Sequence, residues 1–223
     1  MKKLLSLISA GLIWAALVMP ASAQMGVGVT ALIGDIETSG TETEKTVTGV
    51  TSETTSTTVE ETFMGAAIYV EKKMGNGLAF GVEYVPVDIE IGSGARTNSS
   101  SGADVASEAD TGDVSVSADV TDLFTFYARV PLPMIPSGYL KLGYHDATIQ
   151  TNESLTTTSY GDVALNGFEY GAGFQNEDGT RRVELTYSDF DDISITGTGS
   201  GETNQNTVTA DADAWALRLS LGF

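Results

Sequence analysis

His145 is the only histidine in the chain, and Asp146 stands beside it. An imidazole next to a carboxylate is the beginning of general-base chemistry, but a serine hydrolase adds a nucleophile elbow. No Gly-x-Ser-x-Gly run occurs anywhere. Asp189, Asp191 and Asp192, or Asp211 and Asp213, carry the ligand type a divalent cation prefers, yet their spacing fits no EF-hand loop. They read as a solvated acidic rim. Gly197-Thr-Gly-Ser-Gly201 lacks the lysine and the following helix of a phosphate cradle. With no cysteine present, thiol nucleophiles, disulfides and Cys-ligated metals are excluded. No catalytic, cofactor-binding or metal-binding residue is therefore expected. The charges that remain to be explained are Glu83, Arg129, Lys141, Glu169, Arg182, Glu184 and Arg218, each on the less apolar face of a patterned segment.

Those segments define the architecture. Short turn signals at Lys73 to Gly77, Pro131 to Gly138 and Gln175 to Gly179 are each flanked by about ten residues of period-two pattern. Long polar stretches lie between the hairpins: Glu37 to Thr62, Gly92 to Ser117, Thr151 to Gly161 and Phe190 to Thr207. Three short and four long connections join eight antiparallel strands, the first of them expected over Met25 to Ile36. Separate small β domains are excluded by size, because an isolated hairpin buries no core. Thr41 to Thr58 contains nine threonines, which are good strand formers, so this stretch could lengthen its hairpin.

Residues 1–23 read as a secretory signal. Lys2 and Lys3 precede an apolar run from Leu4 to Val18, and Ala21-Ser22-Ala23 forms a small-x-small cleavage site. Residues 24–223 are then the mature domain. With 30 acidic against 11 basic residues, the chain has no footprint for nucleic acid.

The alternation decides what surrounds the barrel. Trp215, Leu217, Leu219, Leu221 and Phe223 share one face of the last strand, opposite Ala214, Ala216, Arg218, Ser220 and Gly222. The same split recurs at Leu78 to Val85, Phe124 to Val130, Leu140 to His145, Gly167 to Phe174 and Arg182 to Tyr187. The bulky face is too greasy for water, and the other face is rich in glycine with about one charge per strand. A soluble ligand-binding barrel would need an apolar cavity, which that second face does not supply. Facing lipid, a Lys or Arg costs roughly 2–4 kcal/mol at mid-membrane, and a one-residue slip would expose several. The bulky face therefore meets lipid and the seven charges meet each other in the lumen. His145, near a strand end, is expected at the membrane interface.

The signal segment, the strand count and the closing run Trp215-Ala-Leu-Arg-Leu-Ser-Leu-Gly-Phe223 resemble small bacterial outer-membrane proteins. Gly138-Tyr-Leu-Lys-Leu-Gly-Tyr144 and Gly167-Phe-Glu-Tyr-Gly-Ala-Gly-Phe174 are similar to strands of the OmpA-like and opacity-like barrels. The resemblance implies an all-β, eight-stranded, up-and-down transmembrane β-barrel in the outer membrane, monomeric, with periplasmic termini. It implies that Trp215, Leu217, Leu219, Leu221 and Phe223 are an assembly signal for the barrel insertion machinery. Outer-membrane lipid and lipopolysaccharide are the implied neighbours. No peptidoglycan-binding domain is expected after Phe223. The function expected is a surface-exposed structural barrel with acidic external loops; the alternatives are a narrow ion or solute channel and a lipid-active enzyme around His145.

Overall fold

The structure, a computed structural model, describes residues 24–45, 51–98, 112–154, 158–199 and 207–223. Residues 1–23 lie outside these, and the expected signal segment with them. The described chain is antiparallel sheet with tight turns. Strand β1 is Gln24–Lys45 and β2 is Thr51–Lys73. Strand β3 is Ala79–Val85, continued after a break by Ile89–Asn98. Strands β4, β5 and β6 are Gly112–Pro131, Gly138–Glu153 and Val163–Gln175. Strand β7 is Arg181–Phe190, continued by Ile193–Thr196, and β8 is Thr207–Gly222. Each pairs with the next in sequence, and β1 pairs with β8 from Gly28↔Gly222 to Thr43↔Thr207. That last pairing closes an eight-stranded barrel and leaves it without an edge, the only β arrangement that satisfies its backbone inside lipid.

The first strand runs further than the expected Met25 to Ile36, and the threonine-rich stretch does lengthen its hairpin. β1 extends past Ile36 to Lys45, so the expected Glu37–Thr62 loop is mostly a β1–β2 hairpin paired from Gly40↔Thr57 to Lys45↔Thr51. Its threonines hold strand geometry through same-face contacts such as Ser39 to Thr58 at 2.9 Å and Thr41 to Ser56 at 3.0 Å. Glu42, Glu60 and Glu61 stand on strands, as do the backbones of Glu44, Glu53 and Asp113. Asp191 and Asp192 occupy the break in β7, while Asp104, Glu108, Asp110 and Glu202 lie outside the described residues.

The hairpin of β3 and β4 is interrupted on both strands at the same level. Pro86, which cannot donate to a ladder, interrupts β3 opposite a bulge between Thr121 and Phe124 where Asp122 takes φ +52°. At the other end of the barrel, tight turns at Gly77 (φ +83°) and Gly179 (φ +74°) use the left-handed backbone that glycine adopts without strain. Thr158–Ser159 pairs with Thr198–Gly199 across the opposite mouth, and Tyr160 donates to Glu42 there at 3.2 Å.

The outer surface divides into two zones. On β1, Met25, Val27, Val29 and Ile33 point outward and are exposed, but the outward residues above them are Asp35, Glu37 and Ser39. On β8, Leu221, Leu219, Leu217 and Trp215 give way to Asp213 and Asp211. Each apolar stretch is about nine residues, the length with which a tilted strand crosses a bilayer. Paired aromatics mark its upper limit: Tyr84 with Phe124, Tyr144 with Phe168, and Tyr187 with Trp215, at 4.6, 5.5 and 4.8 Å between centroids.

The interior reverses at the same level, which corrects one expectation. The inward face carries glycine, hydroxyls and charge only beside the apolar belt. Above it, Leu32, Ile36, Val85, Ile89, Val120, Ile149, Leu165 and Ile193 form a buried apolar core. The physical reason is the change of surroundings. Where the wall leaves lipid for water, polar residues move outside and apolar ones inside, as in a soluble barrel.

Candidate functional site

Beside the belt the lumen is filled by charge, and the register explains why. Inward positions on five consecutive strands bring Glu83, Arg129, Lys141, Glu169, Arg182 and Glu184 together, and β8 adds Arg218. All seven are buried. An eighth joins them that the sequence reading missed. Glu71, on β2, is buried and takes a bidentate contact from Arg129, with Nε at 2.8 Å and Nη2 at 2.5 Å. Arg182 reaches the same carboxylate at 3.1 Å, and the Tyr127 hydroxyl donates to it at 3.1 Å. Its signal was present: Ala67, Tyr69 and Glu71 alternate with Ile68, Val70 and Lys72.

The eight charges, four acidic and four basic, sort into two layers. Nearest the short turns, Glu71 lies between Arg129 and Arg182; Arg129 also donates to Gln175 at 2.8 Å and Arg182 to the Gly179 carbonyl at 3.1 Å. Deeper in, Lys141 pairs with Glu169 at 2.9 Å and lies 3.7 Å from Glu184. Arg218 pairs with Glu83 and, at 3.2 Å, with Glu169. Tyr139 donates to Glu184 at 2.7 Å, and Thr30 donates to Glu83 at 3.3 Å. Three cations also rest on aromatic faces: Arg129 on Tyr139, Lys141 on Tyr127 and Arg182 on Tyr69, at 4.7, 4.7 and 4.4 Å. The first layer carries one surplus positive charge and the second one surplus negative charge, so the pair of layers is neutral.

Glycine makes the room for this packing. A Cβ at Gly81 would collide with the Tyr127 ring and hydroxyl, whereas one at Gly26 would meet nothing within 4 Å. Gly81→Val should displace Tyr127 from Glu71 and cost about 1–3 kcal/mol, the usual range for overpacking. Gly26→Ala is the control. Urea midpoints of the refolded barrels measure both; equal midpoints would show that the Tyr127 position is not fixed by Gly81.

His145 is not at the interface. It points inward, 3% exposed, and stacks on Phe190. Its Nδ1 lies 2.9 Å from the Thr125 hydroxyl and its Nε2 lies 2.9 Å from the Ser188 hydroxyl. The imidazole therefore bridges β4 and β7 at the ceiling of the charge layers, under the apolar core. A cavity of about 50 Å³ lies against it, lined by apolar side chains with Arg218 and Glu169 at its floor. The contact with Ser188 is a tertiary one that no local motif announced. The Asp146 carboxylate faces outward and does not orient the ring.

A closed eight-stranded barrel with an apolar outer belt, an aromatic girdle and an ion-paired lumen is a membrane-spanning β-barrel of the outer-membrane type. No protein-family model matches the chain, and no curated protein matches it either. Among solved structures it is similar to the outer membrane protein OprG from Pseudomonas aeruginosa, at 13% identity over 88% of this chain and 96% of that one, with a TM-score of 0.48. It is also similar to the outer membrane protease OmpT from Escherichia coli (8% identity, 88% and 97% covered, TM-score 0.45). The attachment invasion locus protein Ail of Yersinia pestis is a third (12% identity, 88% and 99% covered, TM-score 0.33). The fold assignment rests on the strand pairing and the outer belt of this chain itself.

Proposed function

We propose that the protein is a surface-exposed structural barrel of the Gram-negative outer membrane, monomeric and non-conducting, with its termini and short turns in the periplasm. The observation that carries this reading is the neutral set of eight buried charges spanning the lumen. Eight strands leave an interior only wide enough for side chains, and every acid there is within 4 Å of a cation. Continuous ion flow would require these pairs to part.

Planar-bilayer recording tests it. The unmodified protein is expected to give no steady current. Sustained, ion-selective currents that change when Glu83, Glu169 or Glu184 is made Gln would establish the channel instead. The orientation has its own measurement. Protease added to intact cells should cut within the long connections, at the acidic segments around 104–110 and 202, and leave the strands whole. Cutting only after the outer membrane is permeabilised would invert the topology.

The contact of His145 with Ser188 is the one observation that favours an enzyme. Against that reading, the far nitrogen of the ring meets a threonine hydroxyl in place of an orienting carboxylate, and both side chains are buried. His145→Ala should leave the lipids of expressing cells unmodified relative to the parent. Loss of a lipid modification in that variant would establish the enzyme.

A further inference from the structure

Of the three short turns, the one between β4 and β5 differs in kind. From Val130 to Tyr139 it carries no charge, and Pro133, Met134, Ile135 and Pro136 are consecutive exposed residues. Met134, at the tip, is 93% exposed. The other two turns at this end are polar: Gly75-Asn76-Gly77 comes after Lys72 and Lys73, and Asn176-Glu177-Asp178-Gly179 comes before Arg181 and Arg182. A contiguous apolar projection on one side of the barrel marks a surface that something covers.

The turn holds its shape with little need of water. Pro131, Pro133 and Pro136 have no N–H to satisfy. The N–H groups of Leu132, Ile135 and Gly138 donate within the turn, to the carbonyls of Gly138, Leu132 and Ile135 at 2.9, 3.1 and 3.0 Å. Gln175 of β6 donates its N–H to the Ser137 carbonyl at 3.0 Å and ties the turn to the wall. Ile135 lies over Gly138, where a Cβ would stand 2.7 Å from its Cγ2. An unsatisfied backbone donor is expensive in lipid, and most positions in this turn present none.

Continuity names the occupant. Val130 and Leu140, the last outward residues of the two strands, are exposed parts of the apolar belt. Phe174, exposed on β6, stands opposite Gly138, so the belt reaches the foot of the turn. Met134 is three residues beyond Pro131, the last paired residue of β4, at most about 10 Å along the chain and about 7 Å in height at a 45° tilt. A headgroup zone is about 5–7 Å deep, so the tip stays inside it. A soluble partner would have to reach the tip through those headgroups. We propose that the β4–β5 turn is a one-sided lipid anchor, with Met134 and Ile135 seated among the headgroups and first methylenes of the leaflet at that end. The other two turns remain in water. The inference needs only a barrel in a bilayer and does not depend on which end faces the periplasm.

The test uses the refolded full chain in vesicles of phosphatidylethanolamine and phosphatidylglycerol. Because the chain has no cysteine, Met134→Cys and Asp178→Cys each place one environment-sensitive fluorophore, at the apolar turn and at the charged one. Iodide is present on both faces of the membrane. The dye at position 134 should be quenched several-fold less by iodide than the dye at 178, and more by lipids spin-labelled near the headgroup. Adding Ile135→Asp to Met134→Cys should return the dye to water. Heat-modifiable migration confirms that each variant is folded. Equal iodide quenching at the two turns would overturn the proposal and leave the tip free for a soluble partner, and spin-labelled lipids that fail to quench position 134 would overturn it too. Shielding that survives Ile135→Asp would do the same, since the dye and not the turn would then be seeking lipid.

Discussion

Glu71→Gln is expected to be the most damaging single substitution in the lumen. One carboxylate there answers two guanidiniums and a phenol, and the amide keeps the shape while removing the charge. Breaking a buried pair from one side typically costs about 3–5 kcal/mol, because the partner is left charged and unanswered. Here two partners are left, although Gln175 and the Gly179 carbonyl still receive one donor from each. The urea midpoint of the refolded barrel should fall well below that of the parent. Glu83→Gln should fall less, since Arg218 retains Glu169 at 3.2 Å. A change under about 0.5 kcal/mol for Glu71→Gln would mean that water screens this layer and that the lumen is open.

Deleting Phe223 is expected to have a large effect in cells and a small one in vitro. In the folded barrel its ring is 81% exposed, and its amide donates to the Val27 carbonyl at 2.8 Å. Losing one exposed ring contact and one hydrogen bond should cost about 1 kcal/mol in a refolded sample. We propose that the exposed Phe serves insertion machinery as a handle, as the resemblance to outer-membrane barrels implies. Outer-membrane levels should therefore drop several-fold, with protease-sensitive material left in the periplasm. Immunoblots of fractionated cells and urea titration of refolded protein measure the two effects separately. Normal membrane levels would remove Phe223 from any assembly signal. A loss in vitro as large as that in cells would make its role structural.

Much of the molecule could be read from the chain because the bilayer imposes a simple rule on it. A belt of about nine outward residues must be apolar on every strand, so Trp215 to Phe223 and its counterparts set the strands, their register and the inward direction of Glu83, Arg129, Lys141, Glu169, Arg182, Glu184 and Arg218 without reference to any partner. That rule ends at the membrane boundary. Beyond it the alternation reverses, so Leu32 and Ile36 turn into a core, and of the two readings their threonines left open, loop or lengthened hairpin, Thr41 and Ser56 take the second. Which acid meets which base was also undetermined, because partners such as Arg218 and Glu83 are 135 residues apart and meet only when β1 closes on β8. The partners of Glu71 and the His145–Ser188 bridge belong to the same class. Each depends on side chains from non-adjacent strands crossing a lumen that exists only once the sheet has closed, and a period-two pattern, which records the face of a residue and never its partner, carries no trace of them.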